Sequence, residues 1–211
     1  LGKKRPPFLL MLIILASSSP RRAELLRKAG LDVQIHAPCA EELPPNSLPP
    51  CDLAKQNAKI KALSVSRLHP GSIVIGADTI IALGDRVFGK PASLDEAREM
   101  LRCLSGKVHE ALTGVYVTLP TPLEPISFVE RTLVRFHSLD APTIERHIAK
   151  ASPLDKAGAY ALQDDDGSLI AEIKGCRMNV IGLPVPRLLE SLRALGLGAH
   201  RSISRGLNSQ T

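Results

Sequence analysis

Ile13-Ile14-Leu15-Ala16-Ser17-Ser18-Ser19-Pro20-Arg21-Arg22 sets the pattern of the whole chain. The apolar run over residues 9–16 has the length of a buried strand. Three serines follow, then Pro20. Proline is favoured at the first helical position, and a serine just before it serves as an N-cap. From Ala23 the spacing of Leu25, Leu26 and Ala29 is helical, and Gly30 ends it. The stretch therefore predicts a strand, a tight serine turn and a helix. Its charge is unusual. Arg21 and Arg22 fall in the first helical turn, where the helix dipole favours acids. Backbone N–H groups, hydroxyls and guanidinium groups each prefer a phosphate, and here they meet at one point. The same residues also read as a solvated basic turn.

The chain around this stretch has a globular composition. Its 211 residues are 44% hydrophobic and 23% charged, enough for a sizeable core. Aromatics make up 3% and tryptophan is absent, so the predicted core is aliphatic. Few rings are available to stack on bases, which argues against a single-strand nucleic-acid binder; no stable nucleic-acid partner is expected. The net charge of +6 is spread along the chain, and solubility explains it as well as steering of an anion does. Cys39, Cys51, Cys103 and Cys176 form no C-x-x-C pair and read as reduced thiols of a cytoplasmic protein. The six histidines show no metal-ligand spacing. Lys3, Lys4 and Arg5, the apolar run and the serines imitate a signal peptide. That reading is rejected, because cleavage there would cut the strand from its turn. The run is also far shorter than the ~20 residues that cross a bilayer, so no membrane partner is expected. Met11 reads as a natural start, with residues 1–10 an extension.

Along the chain, strand and helix patterns interleave. Residues 31–37 read as a second strand and 39–50 as a proline-rich loop carrying Glu41 and Glu42. Residues 53–66 read as a helix whose lysines cannot all share one face. Residues 72–83 are a second apolar run with Asp78 embedded in it. An acid between apolar residues is paired, metal-bound or at a cleft, or else it caps a turn. Residues 93–104 form a helix with Ser93 as N-cap and Glu96 closing a capping box. Residues 105–109 read as a turn. Residues 113–119 and 126–136 form a hairpin around a proline-rich loop. Residues 142–149 are helical, 157–163 are strand-like, 164–167 turn, and 169–173 form a short strand. A last helix covers 186–195. The expected class is α/β, with a mixed β-sheet and flanking helices. One domain is expected over 1–211, with its core at 11–195 and flexible ends at 1–10 and 196–211.

Six collinear motifs carry a resemblance. They are Leu15 to Arg22, Gly76-Ala77-Asp78-Thr79, Gly89-Lys90-Pro91, and Leu104-Ser105-Gly106 with Thr113-Gly114-Val115. The others are Asp155-Lys156-Ala157-Gly158-Ala159-Tyr160 with Gln163, and Asn179-Val180-Ile181-Gly182-Leu183-Pro184. Together they resemble the Maf family of nucleoside triphosphate pyrophosphatases. The resemblance implies two lobes around a deep central cleft, often in a homodimer, like the related ITPase fold. It implies hydrolysis of a nucleoside triphosphate to the monophosphate and pyrophosphate with a divalent metal, Mg²⁺ or Mn²⁺. It makes Asp78 the proton acceptor. It makes Arg21, Thr79 and Gln163 specificity positions of the branch acting on dTTP and UTP, and removal of non-standard nucleotides is a further role the resemblance implies. A sister branch acting on 7-methyl-GTP carries a tryptophan after the proline and lacks the Thr and Gln. This chain departs from the family pattern at Ala151-Ser152, usually Gly-Glu, and at Asp164, usually glycine.

The chemistry of the residues agrees with this. A triphosphate carries about four negative charges, each needing a cation, a metal or N–H groups. Ser17, Ser19, Arg21, Arg22, Lys61 and Lys90 are the candidates for the phosphates. Lys61 reads equally as part of a solvated helix face. Asp78 is the candidate base or metal ligand, and the sequence leaves those roles unseparated. Glu41 is a second candidate metal carboxylate, with a solvated loop acid as the alternative. No Walker A pattern is present. A non-enzymatic regulator of cell division and a basic nucleic-acid binder remain the other classes of function.

Overall fold

The computed structural model of the protein describes residues 11–197. The predicted flexible end at 1–10, and most of the one at 196–211, lie outside the described residues. The predicted opening is present: strand β1 (Ile13–Ala16), the serine turn, then helix α1 (Pro20–Lys28). Strand β2 (Gln34–Ile35) is shorter than expected, and the 39–50 loop leads into helix α2 (Pro50–Ser66). Strand β3 (Ile73–Leu83) turns at Gly84 into β4 (Arg86–Phe88). Helix α3 (Leu94–Leu104) follows, then β5 (Val108–Thr118) and β6 (Ile126–Phe136). The chain ends with α4 (Ala141–Lys150), β7 (Ile170–Lys174), a short helix α5 (Arg177–Ile181) and α6 (Val185–Ala194).

The sheet is mixed, in the order β2-β1-β3-β5-β6-β7. Strands β1, β2 and β3 run parallel, and the rest pair antiparallel. On one side β3 is paired along its length by β5. On the other it pairs β1 only as far as Gly76, and β4 only from Ile81. Residues 77–80 therefore form a gap where one edge of a central strand has no neighbouring strand.

Alternation along β3 explains the layers. Val74, Ile80 and Ala82 face α2, while Ile75, Ala77 and Ile81 face the opposite layer. On that opposite face the apolar core is split. One cluster joins Ile75, Ala77 and Val115 to Leu26 of α1 and Leu188 of α6. The other joins Ile81, Ala111 and Phe136 to Leu101 of α3 and Ile144 of α4. Thr79 and Thr113, directly paired across β3 and β5, stand between them. The boundary between the two clusters is a polar seam.

Helix α2 lies unusually close to the sheet. Ala54, Ala58 and Ala62 repeat at i, i+4 and are fully buried. They rest on Gly76 and Gly114, where an added Cβ would come within 2.3 Å of the Ala58 carbonyl oxygen and 2.2 Å of the Ala54 carbonyl oxygen. Glycine at both positions lets the helix backbone sit against the strands.

Three local expectations need correction. Ser93 caps α3, accepting from Glu96 N at 3.1 Å, but Glu96 Oε2 accepts from Ala92 N rather than from Ser93. The box closes one residue early, around the extended Ser93. The predicted turn at 105–109 is shorter, because β5 already starts at Val108 and carries His109 into the core. The segment 157–163 is not a strand. One 3-10 turn, Pro153–Asp155, precedes it and a second, Ala157–Ala159, opens it, and Gly158 and Ala159 both have positive φ, 68° and 64°. A strand of small residues and a tight turn of small residues look alike in sequence, and the left-handed pair decides for the turn.

Candidate active site

A cavity of about 670 Å³ opens over the gap in β3. Both faces of the strand reach it there. Asp78 arrives from the α2 side and Thr79 from the seam, so side chains that point opposite ways along one strand line the same space.

The close approach of α2 builds the Asp78 half. Asn57 and Lys61 are one turn apart on the stripe beside the alanine ladder, and both are buried. Lys61 Nζ donates to Asp78 Oδ1 at 2.6 Å, and Asn57 Nδ2 donates to Asp78 Oδ2 at 3.3 Å. Lys61 also pairs with Glu42 Oε1 at 2.9 Å. Two carboxylates thus converge on one ammonium inside the cavity. Lys61 is therefore part of the site and not of a solvated face. Glu42, not Glu41, is the loop acid that reaches it; Glu41 is exposed and outside the cavity wall. Their order in the loop carried no signal for this choice. Asn57 was missed, although its position four residues before Lys61 is a legible cue.

The Arg22 half is a brace. The guanidinium is buried, donating from Nε to Gly182 O at 2.8 Å, from Nη1 to Ser17 Oγ at 3.2 Å and from Nη2 to Thr79 Oγ1 at 3.0 Å. Burial lowers its pKa, and the nearby charges of Asp78 and Glu42 oppose that fall. Thr79 Oγ1 also meets Thr113 Oγ1 at 2.9 Å and donates toward Gly182 O at 3.2 Å. Asn179, fully buried, ties the seam to Ala111, Glu130 and Thr132. Arg22, on α1, thus joins the serine turn, β3 and the turn at Gly182.

The serine turn is pulled inward as well. Ser17 Oγ accepts from Ser19 N at 3.1 Å. Ser19 occupies the N-cap of α1, but its side chain makes no capping hydrogen bond, contrary to the expectation. Ser17, Ser18, Ser19, Arg21 and Lys90 all line the cavity. Lys90 is exposed and has no ion-pair partner among the described residues. Arg21 is a third exposed and lies 3.6 Å from Asp155 Oδ2. Lys156, also in the wall, directs its ammonium to Ser152 O, Asp155 Oδ1 and Asp164 Oδ2 at 2.7, 2.9 and 3.2 Å. Its three N–H donors are thereby matched, and Asp164 finds a partner at the position where the sequence departs from the family pattern. Gln163 is exposed on the turn two residues beyond the wall residue Ala161 and does not itself line the cavity.

Among the described residues no group of three or more His, Cys, Asp or Glu side chains could hold a metal ion. No helix among them is long and apolar enough to cross a membrane.

The fold and the cavity define a class: a mixed α/β protein with a cleft of mixed polar and apolar lining, the exposed cations Arg21 and Lys90 in its wall and the buried Lys61–Asp78 pair beside them. The chain belongs to the Maf family, whose model, described as Maf-like protein, matches residues 12–195. The dTTP/UTP pyrophosphatase of Pelotomaculum thermopropionicum is 42% identical over 181 residues, 86% of this chain and 95% of the relative. That of Akkermansia muciniphila is 42% identical over 194 residues, 92% of this chain and 99% of the relative. The fold resembles the Staphylococcus aureus Ham1 protein with a TM-score of 0.52 at 14% identity, over 87% of this chain and 98% of that one.

Proposed function

We propose that the protein hydrolyses dTTP and UTP to the nucleoside monophosphate and pyrophosphate. The observation that carries this is the Asp78 carboxylate, held on the cavity floor by Lys61 and Asn57 opposite the serine turn, Arg21 and Lys90. Likeness to two dTTP/UTP pyrophosphatases at 42% identity supports the choice of substrate. The cavity volume lies in the range of small-molecule sites.

In this reading the triphosphate lies along the serine turn and the N-terminus of α1. Arg21 and Lys90 meet its charges, while Arg22 holds Ser17, Thr79 and Gly182 in place. Asp78 orients a water toward the α-phosphorus and takes its proton. The bond from that phosphorus to the bridging oxygen then breaks, and pyrophosphate leaves. Lys61 supplies positive charge beside the developing negative charge.

A divalent cation belongs to the proposal. Asp78 and Glu42 fit one, because Mg²⁺ is held by one or two carboxylates together with phosphate oxygens and waters. Both already converge on a positive charge, that of Lys61. Bound there, the cation would polarise the phosphate oxygens and lower the pKa of a water.

Arg21, Thr79 and Gln163 are the proposed specificity positions. The amide of Gln163 both donates and accepts, matching the adjacent carbonyl and N–H of uracil and thymine. The test is kcat/KM for a panel holding UTP, dTTP, CTP, ATP, GTP and 7-methyl-GTP. The reading expects UTP and dTTP to lead. A lead by 7-methyl-GTP would move the chain to the other substrate class.

A further inference from the structure

The cavity wall contributed by Tyr160 and Ala161 rests on a segment that must be held. Gly158 and Ala159 carry consecutive positive φ values, and a non-glycine residue adopts that region at a cost. Three contacts with residues remote in sequence hold the segment, besides the local bond from Ala159 N to Lys156 O at 3.1 Å. Gly158 N donates to Gly89 O at 3.1 Å. His147 Nε2 lies 3.1 Å from the carbonyl oxygen of Ala159. A carbonyl only accepts, so Nε2 carries the proton. The third contact is between His109 Nε2 and the Tyr160 hydroxyl, at 2.7 Å.

The last contact is the unusual one. His109 is 1% exposed near the start of β5, with its ring edge-on to Phe136 at 4.7 Å and to Tyr160 at 5.5 Å. Its Nδ1 is buried without a hydrogen-bond partner. Such an orphaned group costs stability. A phenylalanine would fill this aromatic pocket without that cost. What histidine adds is the bond to the Tyr160 hydroxyl. Burial keeps the imidazole neutral and the phenol protonated, so the bond is made between two uncharged groups.

We propose that His109 is a positioning residue for nucleotide recognition, which fixes the Tyr160 ring in the cavity wall through the tyrosine hydroxyl. The inference rests on the proposed triphosphate activity. His109 touches no part of the cavity itself, and Asp78 lies on the other face of β3. Loss of the bond therefore loosens substrate binding and leaves the chemical step in place.

The test uses the full chain. Tyr160→Phe removes the hydroxyl and keeps the ring; His109→Phe removes the imidazole; His109→Gln keeps a polar group near the Nε2 position. KM for dTTP is expected to rise about five- to tenfold in the first two, the size of one neutral hydrogen bond, with kcat within about threefold. The double variant His109→Phe/Tyr160→Phe should lose no more than either single one. His109→Gln should recover part of the loss. A second readout is free of turnover. The chain has no tryptophan and two tyrosines, so Tyr116→Phe leaves Tyr160 as the sole emitter. In that background His109→Phe should make Tyr160 emission more open to acrylamide quenching. Unchanged KM and quenching, or a fall in kcat with KM constant, would overturn the proposal. Wild-type protein that turns over no triphosphate would overturn the functional reading instead, and with it the recognition role.

Discussion

Asp78→Asn keeps the shape of the floor residue and removes its charge and basicity. The two sides of the wild-type carboxylate both face donors, Lys61 Nζ at 2.6 Å and Asn57 Nδ2 at 3.3 Å. An asparagine offers one acceptor and one donor, so its NH₂ must oppose one of them. Turning its oxygen to Lys61 is the better choice, since Asn57 Nδ2 also lies 3.5 Å from Leu43 O. Lys61 then keeps Glu42 at 2.9 Å. The expected stability loss is about 1–3 kcal/mol, the value of a hydrogen bond to a charged group with one donor left unmatched. That leaves a folded protein with a normal circular dichroism spectrum and a lower melting temperature. Turnover has no such substitute. kcat should fall on the order of a hundredfold or more, the loss expected for a general base. The assay is steady-state pyrophosphate release from dTTP and UTP, with thermal melts on the same samples. A folded variant with kcat within about threefold of wild type would refute the reasoning and make Asp78 the structural counter-ion of Lys61.

Glu42→Gln should lower kcat/KM for dTTP about tenfold or more, while Glu41→Gln stays within about twofold, because only Glu42 reaches Lys61; equal losses would contradict the site. Gly76→Ala should cost about 3 kcal/mol or more, since its Cβ would meet Ala58 O at 2.3 Å and Ala62 N at 2.7 Å; a denaturant midpoint matching wild type would contradict the packing. Burial pushes His109 down to about 4 from 6.5. The unfolded chain therefore binds that proton first, and stability falls as pH drops from about 6.5 toward about 4, by on the order of 3 kcal/mol in all. His109→Phe should lack this component, and unfolding curves with the same pH slope in both proteins would contradict it.

The order of strands and helices was legible because hydrophobic period and punctuation agree over most of the chain. The serine turn, the Asp78 strand and the long hairpin all read directly. What sequence order could not show was the gap in β3. It arises because β1 stops pairing at Gly76 and β4 begins at Ile81. Only that gap lets Asp78 and Thr79 share one cavity from opposite faces. Arg22 illustrates a second limit. Two adjacent arginines look equivalent in sequence, yet α1 turns the first toward the cavity mouth and buries the second against Ser17, Thr79 and Gly182. Glu41 and Glu42 differ in the same way. The turn at 157–160 misled because positive φ at an alanine leaves no compositional mark; it depends on contacts from His109, His147 and Gly89 that are remote in sequence.

The central claim is cleavage between the α- and β-phosphates of a pyrimidine triphosphate. Phosphorus NMR of dTTP or UTP incubated with the protein and Mg²⁺ or Mn²⁺ follows both products at once. The account predicts nucleoside monophosphate and pyrophosphate in equal amounts, with no diphosphate and with turnover abolished by a chelator. Nucleoside diphosphate with orthophosphate, or an unchanged triphosphate, would contradict it.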